Sequence, residues 1–251
     1  METRYVGKSV PRVDGVEKVT GRAVYCVDVE LPGMLHGAVL RSPYASARIV
    51  AVETAEAKRM PGVKVVVTGR DVPYTFGEQI RDQPFLAVDR VRFVGEPVVA
   101  VAAESELEAQ EALKKIRVEY EETPAVFDPR EALLESAPIL HPGLGEYPRV
   151  AIYDVIPGTN VCMIRRYSLG DVEAGFSEAD EVFEDEFYSH AVAHTPMETH
   201  AAVAQYSPLK DGLTVWSSTD GPHRRAKELS TDLDIPLNQV RFISTYSGGG
   251  F

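Results

Sequence analysis

Three groups of residues have types and spacings suited to chemistry. The first is the glycine run Gly248-Gly249-Gly250, closed by Phe251 and placed just after the apolar stretch Val240–Ser244. Glycines let backbone come very near a ligand, and their N–H groups can form a concave nest for an anion. A flexible chain segment has the same composition. The second group is Ser218-Thr219-Asp220-Gly221-Pro222. There Asp220 either caps a helix opening near Pro222 or presents a carboxylate, an acceptor only, to a ligand. The third is His194, Glu198 and His200, whose imidazole and carboxylate groups suit zinc. Thr195-Pro196 counts against a helix that would align residues four apart, because the residue before proline avoids the helical region. On a strand Glu198 and His200 share a face. The plainer reading is that these histidines hydrogen-bond within a partly buried turn, which leaves a small zinc hydrolase as the weakest alternative.

The elements that must position these groups follow from pattern. Leu213–Ser217 reads as a strand and Val240–Ser244 as another. Between them Pro222 suits the first turn of a helix, and Ala226, Leu229 and Leu233 give it one buried stripe. Asp234-Ile235-Pro236 ends that helix. Upstream, the pattern predicts strands at Ala23–Val29, Leu35–Arg41, Arg48–Glu53, Val63–Thr68 and Val98–Ala103, with a further one running toward Tyr120. A short helix spans Ala55–Met60, terminated by Pro61-Gly62. Ser105-Glu106-Leu107-Glu108 is a capping-box sequence, and the helix behind it buries Ala109, Ala112, Leu113 and Ile116. Later come a short helix over Ala174–Ala179, a strand over Asp180–Tyr188 with imperfect alternation, and a strand over Ala201–Tyr206. The stretch 129–160 is studded with proline and glycine and reads as a surface linker. The whole is an α+β protein: a first domain over 13–128, the linker, and a second domain over 161–251.

Bulk properties narrow the function classes. The chain has 251 residues, 44% of them hydrophobic and 25% charged, enough for one large or two small cores. Its net charge of −12 argues against nucleic acid and anionic membranes as partners. No apolar run suits a bilayer span or a signal peptide. The two cysteines, Cys26 and Cys162, form no metal-type spacing, cannot ligate an iron–sulfur cluster and suit a reducing cytoplasm.

The ordered phrases of the chain resemble the large subunit of the xanthine dehydrogenase/aldehyde oxidase family of molybdenum hydroxylases. RVDGVEKVTGRAVYCVD, GMLHGAVLRSPYASARI, PGVKVVVTGRDVP, VRFVGEPVVAVAA and VEYEETPAV are similar to that family's α/β-hammerhead domain. METH at 197–200 is similar to a segment lining the cofactor and substrate cavity, and SSTDGP…VRFIS…GGGF to the family's first cofactor-binding segment. The resemblance implies a molybdenum–molybdopterin cofactor, with Asp220, Gly248, Gly249, Gly250 and Phe251 in contact with it and Met197 and Glu198 in the cavity wall. At the position of Asp220 the family has a glutamine, whose carboxamide donates a hydrogen bond to an oxygen ligand of the metal. A carboxylate there repels such an oxygen or must hold a proton.

The resemblance also implies what lies elsewhere. No residue here matches the family's general-base glutamate, so no catalytic residue is assigned. Iron–sulfur and FAD centres are expected on partner subunits, and most pterin contacts on a chain carrying the rest of the molybdopterin domain. The expected function is therefore the N-terminal part, or a split subunit, of a hydroxylase acting on an aldehyde or N-heterocycle, inactive alone. A non-catalytic assembly module or truncated product is the alternative.

Overall fold

The computed structural model describes residues 3–150, 154–207 and 212–250. Among them run α1 (Gly15–Val19), β1 (His36–Arg41), β2 (Ala47–Glu53), α2 (Ala55–Lys58), β3 (Val63–Thr68), β4 (Thr75–Phe76), β5 (Gln83–Pro84) and β6 (Arg90–Val91). They continue with β7 (Pro97–Ala103), α3 (Glu106–Leu113), β8 (Arg117–Glu122), α4 (Val172–Glu178), β9 (Ala202–Ser207), β10 (Gly212–Ser217), α5 (Pro222–Asp232) and β11 (Val240–Ser244). The class is α+β. By contacts the chain divides into two compact units, Pro32–Tyr188 on the one hand and the chain before it plus the chain from Ser189 onward on the other. The segment up to Leu31 therefore groups with the far end of the sequence rather than with the domain expected over 13–128.

In the larger unit β7 is the organising strand. It pairs antiparallel with β1 on one side and β3 on the other. Its β-branched residues Val98, Val99 and Val101 are almost wholly buried, as expected of a strand covered on both faces. A second antiparallel sheet has the order β6-β2-β8. α3 packs on β1 and β7 through Ala109 and Ala112. Ser105 caps it as the sequence predicts: its hydroxyl oxygen accepts from the Glu108 N–H at 3.2 Å, and the Glu108 carboxylate reaches back to that hydroxyl at 2.9 Å.

Residues 129–160, expected as a linker, belong to this larger unit. Side chains hold that stretch where no ladder does. Arg90 donates to the Ile139 carbonyl at 3.2 Å and Arg92 to that of Leu140 at 3.3 Å. The Asn160 amide spans the Leu140 N–H and the carbonyls of Ala132 and Pro138. His141 sits in the same clamp, 3.7 Å from Asp82 and edge-on to Tyr147. Burial pushes its pKa down, against Asp82, which raises it; Arg92 and Arg90 lower it further. Unfolding then lets His141 take up a proton that the fold disfavours, so its contribution to stability is intact above the ordinary imidazole range and lost as pH falls through it. Chemical denaturation of His141→Phe followed between pH 7.5 and 5 is expected to show a flatter acid limb than wild type.

Three sequence expectations are corrected. Ala23–Val29 is not a strand but holds a single tight helical turn at Cys26–Asp28, fixed where the Asp28 carboxylate accepts the Tyr25 N–H at 2.8 Å. Asp180–Tyr188 carries no ladder, and Phe183 and Phe187 are 82% and 90% exposed. Its residues suit a strand, but a strand needs a neighbour to take its N–H and C=O groups. The stripe of α5 is only half-buried.

Candidate functional site

The three expected groups of residues all fall in the smaller unit. Its sheet has the order β11-β10-β9, with β9 antiparallel to β10 and β10 parallel to β11 from Leu213↔Val240 to Ser217↔Ser244. α5 makes the crossover between the parallel pair and packs on β11. The loops 218–221 and 245–250 thus leave neighbouring strands at the same, carboxyl, edge, where open α/β crossovers place their ligands.

These two loops are tied together and to their surroundings. The Ser244 hydroxyl donates to the Thr219 carbonyl at 2.6 Å, and the Thr245 N–H to the Ser217 carbonyl at 3.3 Å. The Tyr246 N–H reaches the Val24 carbonyl at 3.3 Å, while its ring lies 6.2 Å from that of Tyr25 and 5.6 Å from the Lys18 ammonium. These contacts explain why the start of the chain joins this unit. The Gly248 N–H donates to Glu198 Oε2 at 2.5 Å. A Cβ added at Gly248 would lie 2.5 Å from Glu198 Cβ, whereas one at Gly250 would meet nothing within 4 Å. Among the described residues no acceptor is placed on the N–H of Gly249 or Gly250. Phe251 lies outside the described residues.

Asp220 is exposed and makes no hydrogen bond or ion pair among the described residues. It is not the helix cap: Gly221 occupies that position without a side-chain bond, and Thr219 Oγ1 accepts the Gly221 N–H at 3.2 Å. Met197 is 98% exposed, Glu198 half-buried, and His194 and His200 exposed. No helix runs through 190–200, and Thr195 there adopts φ +44°, a conformation uncommon for a β-branched residue. Among the described residues, no three His, Cys, Asp or Glu side chains are placed to hold a metal ion.

Sequence reasoning gave Cys26 no place in this region. Its side chain is 1% exposed and its thiol donates to the Trp216 carbonyl at 3.3 Å, across 190 positions of sequence. No local pattern signals such a contact. Burial pushes the thiol pKa up, the Val203 N–H opposes this, and the Glu198 charge adds to it. Cys162 is exposed. Alkylation at neutral pH should therefore label Cys162 at least about tenfold faster than Cys26, with Cys26 reacting only in denaturant. Peptide mapping of the labelled chain reads this directly.

Comparison with known proteins defines the class. Residues 20–124 match the profile described as "Aldehyde oxidase and xanthine dehydrogenase, a/b hammerhead domain", and residues 154–251 that of the "Molybdopterin cofactor-binding domain". The chain belongs to the xanthine dehydrogenase/aldehyde oxidase family. It is 41% identical to a subunit of the probable xanthine dehydrogenase of Bacillus subtilis, over 96% of this chain and 30% of that protein. It is 36% identical to the nicotinate dehydrogenase large molybdopterin subunit of Eubacterium barkeri, over 98% of this chain and 55% of the relative. Among solved structures, the Cu,Mo-CO dehydrogenase superposes with a TM-score of 0.83 at 32% identity, covering 98% of this chain and 31% of that one. Quinoline 2-oxidoreductase from Pseudomonas putida 86 gives 0.79 at 32% identity, over 100% of this chain and 31% of its own. The chain thus spans about a third to a half of the relatives it matches.

Proposed function

We propose that this chain supplies the N-terminal part, or a split subunit, of a molybdenum-dependent hydroxylase that oxidises an aldehyde or N-heterocycle with oxygen derived from water. The observation that carries this reading is the glycine loop at the carboxyl edge of the parallel pair. There Gly249 and Gly250 have no Cβ, their two N–H groups have no acceptor among the described residues, and beside Gly250 a Cβ would meet nothing within 4 Å. That donor set fits an anionic, phosphate-bearing group such as molybdopterin. Gly248, Gly249 and Gly250, with Phe251 and Asp220, are the residues proposed to face it, and Met197 and Glu198 to stand beside the substrate cavity.

When bound, the cofactor supplies the two-electron oxidation. The contribution of this chain is to hold and orient it. The loop is tied down before the ligand arrives, so little ordering remains to oppose binding. The remaining chemistry falls to partners: a polypeptide carrying the rest of the molybdopterin domain, an iron–sulfur subunit and an FAD subunit, all in the cytoplasm. The exposed apolar residues Phe176, Val182, Phe183, Phe187 and Tyr188 support a covering polypeptide, since patches of this kind mark partner surfaces. Among the described residues no helix is long and apolar enough to cross a membrane. The domain division under this reading follows the family's segments, a hammerhead domain over 13–128, a connecting stretch over 129–160 and a partial molybdopterin-binding domain over 161–251, while by contacts 13–31 group with the chain from Ser189 onward and 129–188 with the larger unit. A second reading, a non-catalytic assembly module, draws its support from Asp220, an exposed acceptor where the family has a donor.

The deciding experiment is elemental analysis of the chain isolated from its host with whatever co-purifies. Molybdenum near one equivalent together with a second polypeptide is the expected result. Zinc without molybdenum, or no metal and no partner, overturns the hydroxylase reading.

A further inference from the structure

We propose that Glu198 is a positioning residue that latches the glycine loop: its carboxylate occupies the Gly248 N–H and leaves those of Gly249 and Gly250 as the ligand's donors. The inference rests on the cofactor-binding reading above and adds a residue-level division of labour within the loop. The contact is close and charge-assisted, 2.5 Å from N to Oε2, although 50 positions separate the partners. It is also steric. Gly248 admits Glu198 so closely that a Cβ there would stand 2.5 Å from Glu198 Cβ and 3.3 Å from its Oε2. Glycine at 248 therefore serves its neighbour inside the protein, whereas glycine at 250 leaves open space.

The support on the Glu198 side is stiff. Pro196 has a fixed φ, and Thr195 before it is held at φ +44°. On the loop side, Thr245 is tied to the end of β10, Ser244 to Thr219 just beyond it and Tyr246 to Val24, and the Ser247 hydroxyl donates to the Gly249 carbonyl at 3.2 Å, so Gly248 is the last loop residue whose N–H has an acceptor among the described residues. An anion at the loop can have two glycine N–H groups, not three. What the Gly248 N–H requires at this place is an acceptor, and a carboxamide oxygen accepts as well as a carboxylate oxygen.

The test uses the full chain with its co-purifying partners and reads two quantities. Glycine- and valine-selective isotope labelling follows exchange of the Gly248 amide, with the Val215 amide in the middle of β10 as the folding control. Elemental analysis gives molybdenum per chain. Glu198→Ala is expected to speed Gly248 exchange by about tenfold or more and to lower molybdenum content, with Val215 unchanged. Glu198→Gln, which keeps an acceptor and loses the charge, should stay within about threefold of wild type on both readouts. Gly248→Ala should lose molybdenum from the other side of the contact. Unchanged Gly248 exchange in Glu198→Ala overturns the latch, and so does a Glu198→Gln variant as fast as Glu198→Ala. If Gly248 exchange responds as expected while no variant, wild type included, holds molybdenum, the latch stands and the cofactor reading falls.

Discussion

Gly212→Val is expected to unfold the sheet that carries both strand-end loops, with a loss of at least about 3 kcal/mol. Gly212 opens β10 at φ +68°, a region that costs an L residue about 1–2 kcal/mol and a β-branched residue more. Space is also lacking: a Cβ there would lie 2.2 Å from the Gln239 carbonyl oxygen and 3.0 Å from its carbon. Those atoms are backbone and cannot rotate away, so the start of β10 would be driven from the turn Leu237–Gln239 that feeds β11. β10 is the central strand of three, and its displacement removes both ladders together. The chain's one tryptophan, Trp216, lies in β10 and reports on this unit. Its fluorescence should shift to the unfolded signal at markedly lower denaturant in Gly212→Val. Gly212→Ala should fall between the variant and wild type. A Trp216 transition unmoved in both would show that β10 does not depend on this junction.

What the sequence disclosed and what it hid divide by the range of the interaction. Val63–Thr68 and Val240–Ser244 are strands with the predicted bounds, and Ser105 caps α3, because β-branched runs and capping side chains act within a few residues. Pro222 at the first turn of α5 belongs to the same class. Ala23–Val29 is misread on two counts: Asp28 closes a turn on the Tyr25 N–H three residues back, a local signal outweighed by the β-branched pattern, and the segment's other partners, the Trp216 carbonyl and the Tyr246 N–H, lie about 190 or more positions away. Asp180–Tyr188 fails differently. Its alternation states a preference for pairing, and a preference becomes a strand only when another edge accepts its hydrogen bonds. The candidate site shows the same division. Residue types singled out Glu198 and Gly248 separately, but nothing local told that one holds the other, since their contact spans 50 positions. Asp220 shows the limit from the opposite side. Its neighbours Thr219 and Gly221 make the turn between themselves, so the cap statistics that favour aspartate had no role left for it.

That freedom makes Asp220→Gln the most informative change at the site. Asp220 is exposed and without a hydrogen bond or ion pair among the described residues, so the substitution should alter stability by no more than about 0.5 kcal/mol. Under the proposed function its effect on the ligand is large. The carboxylate stands on the loop whose Thr219 carbonyl is bonded to Ser244 at 2.6 Å, at the same sheet edge as the glycine amides. There an acceptor-only charge opposes an anion, while a carboxamide removes the charge and adds two N–H donors. Retention of molybdopterin by the chain with its partners is expected to rise by about tenfold or more, the scale of one added charge-assisted hydrogen bond at such a site. The measurement is cofactor and molybdenum per chain after matched purification, with Trp216 melting as the stability control. Asp220→Asn, too short to restore the reach of glutamine, should recover only the part due to charge. A fall in retention for Asp220→Gln would instead mean that the carboxylate accepts a hydrogen bond from the bound group, and that this chain recognises its ligand with the polarity of that contact reversed. Either way the residue that departs from the family pattern is the one whose replacement separates a cofactor-binding site from a structural remnant, because among the described residues no hydrogen bond or ion pair depends on it.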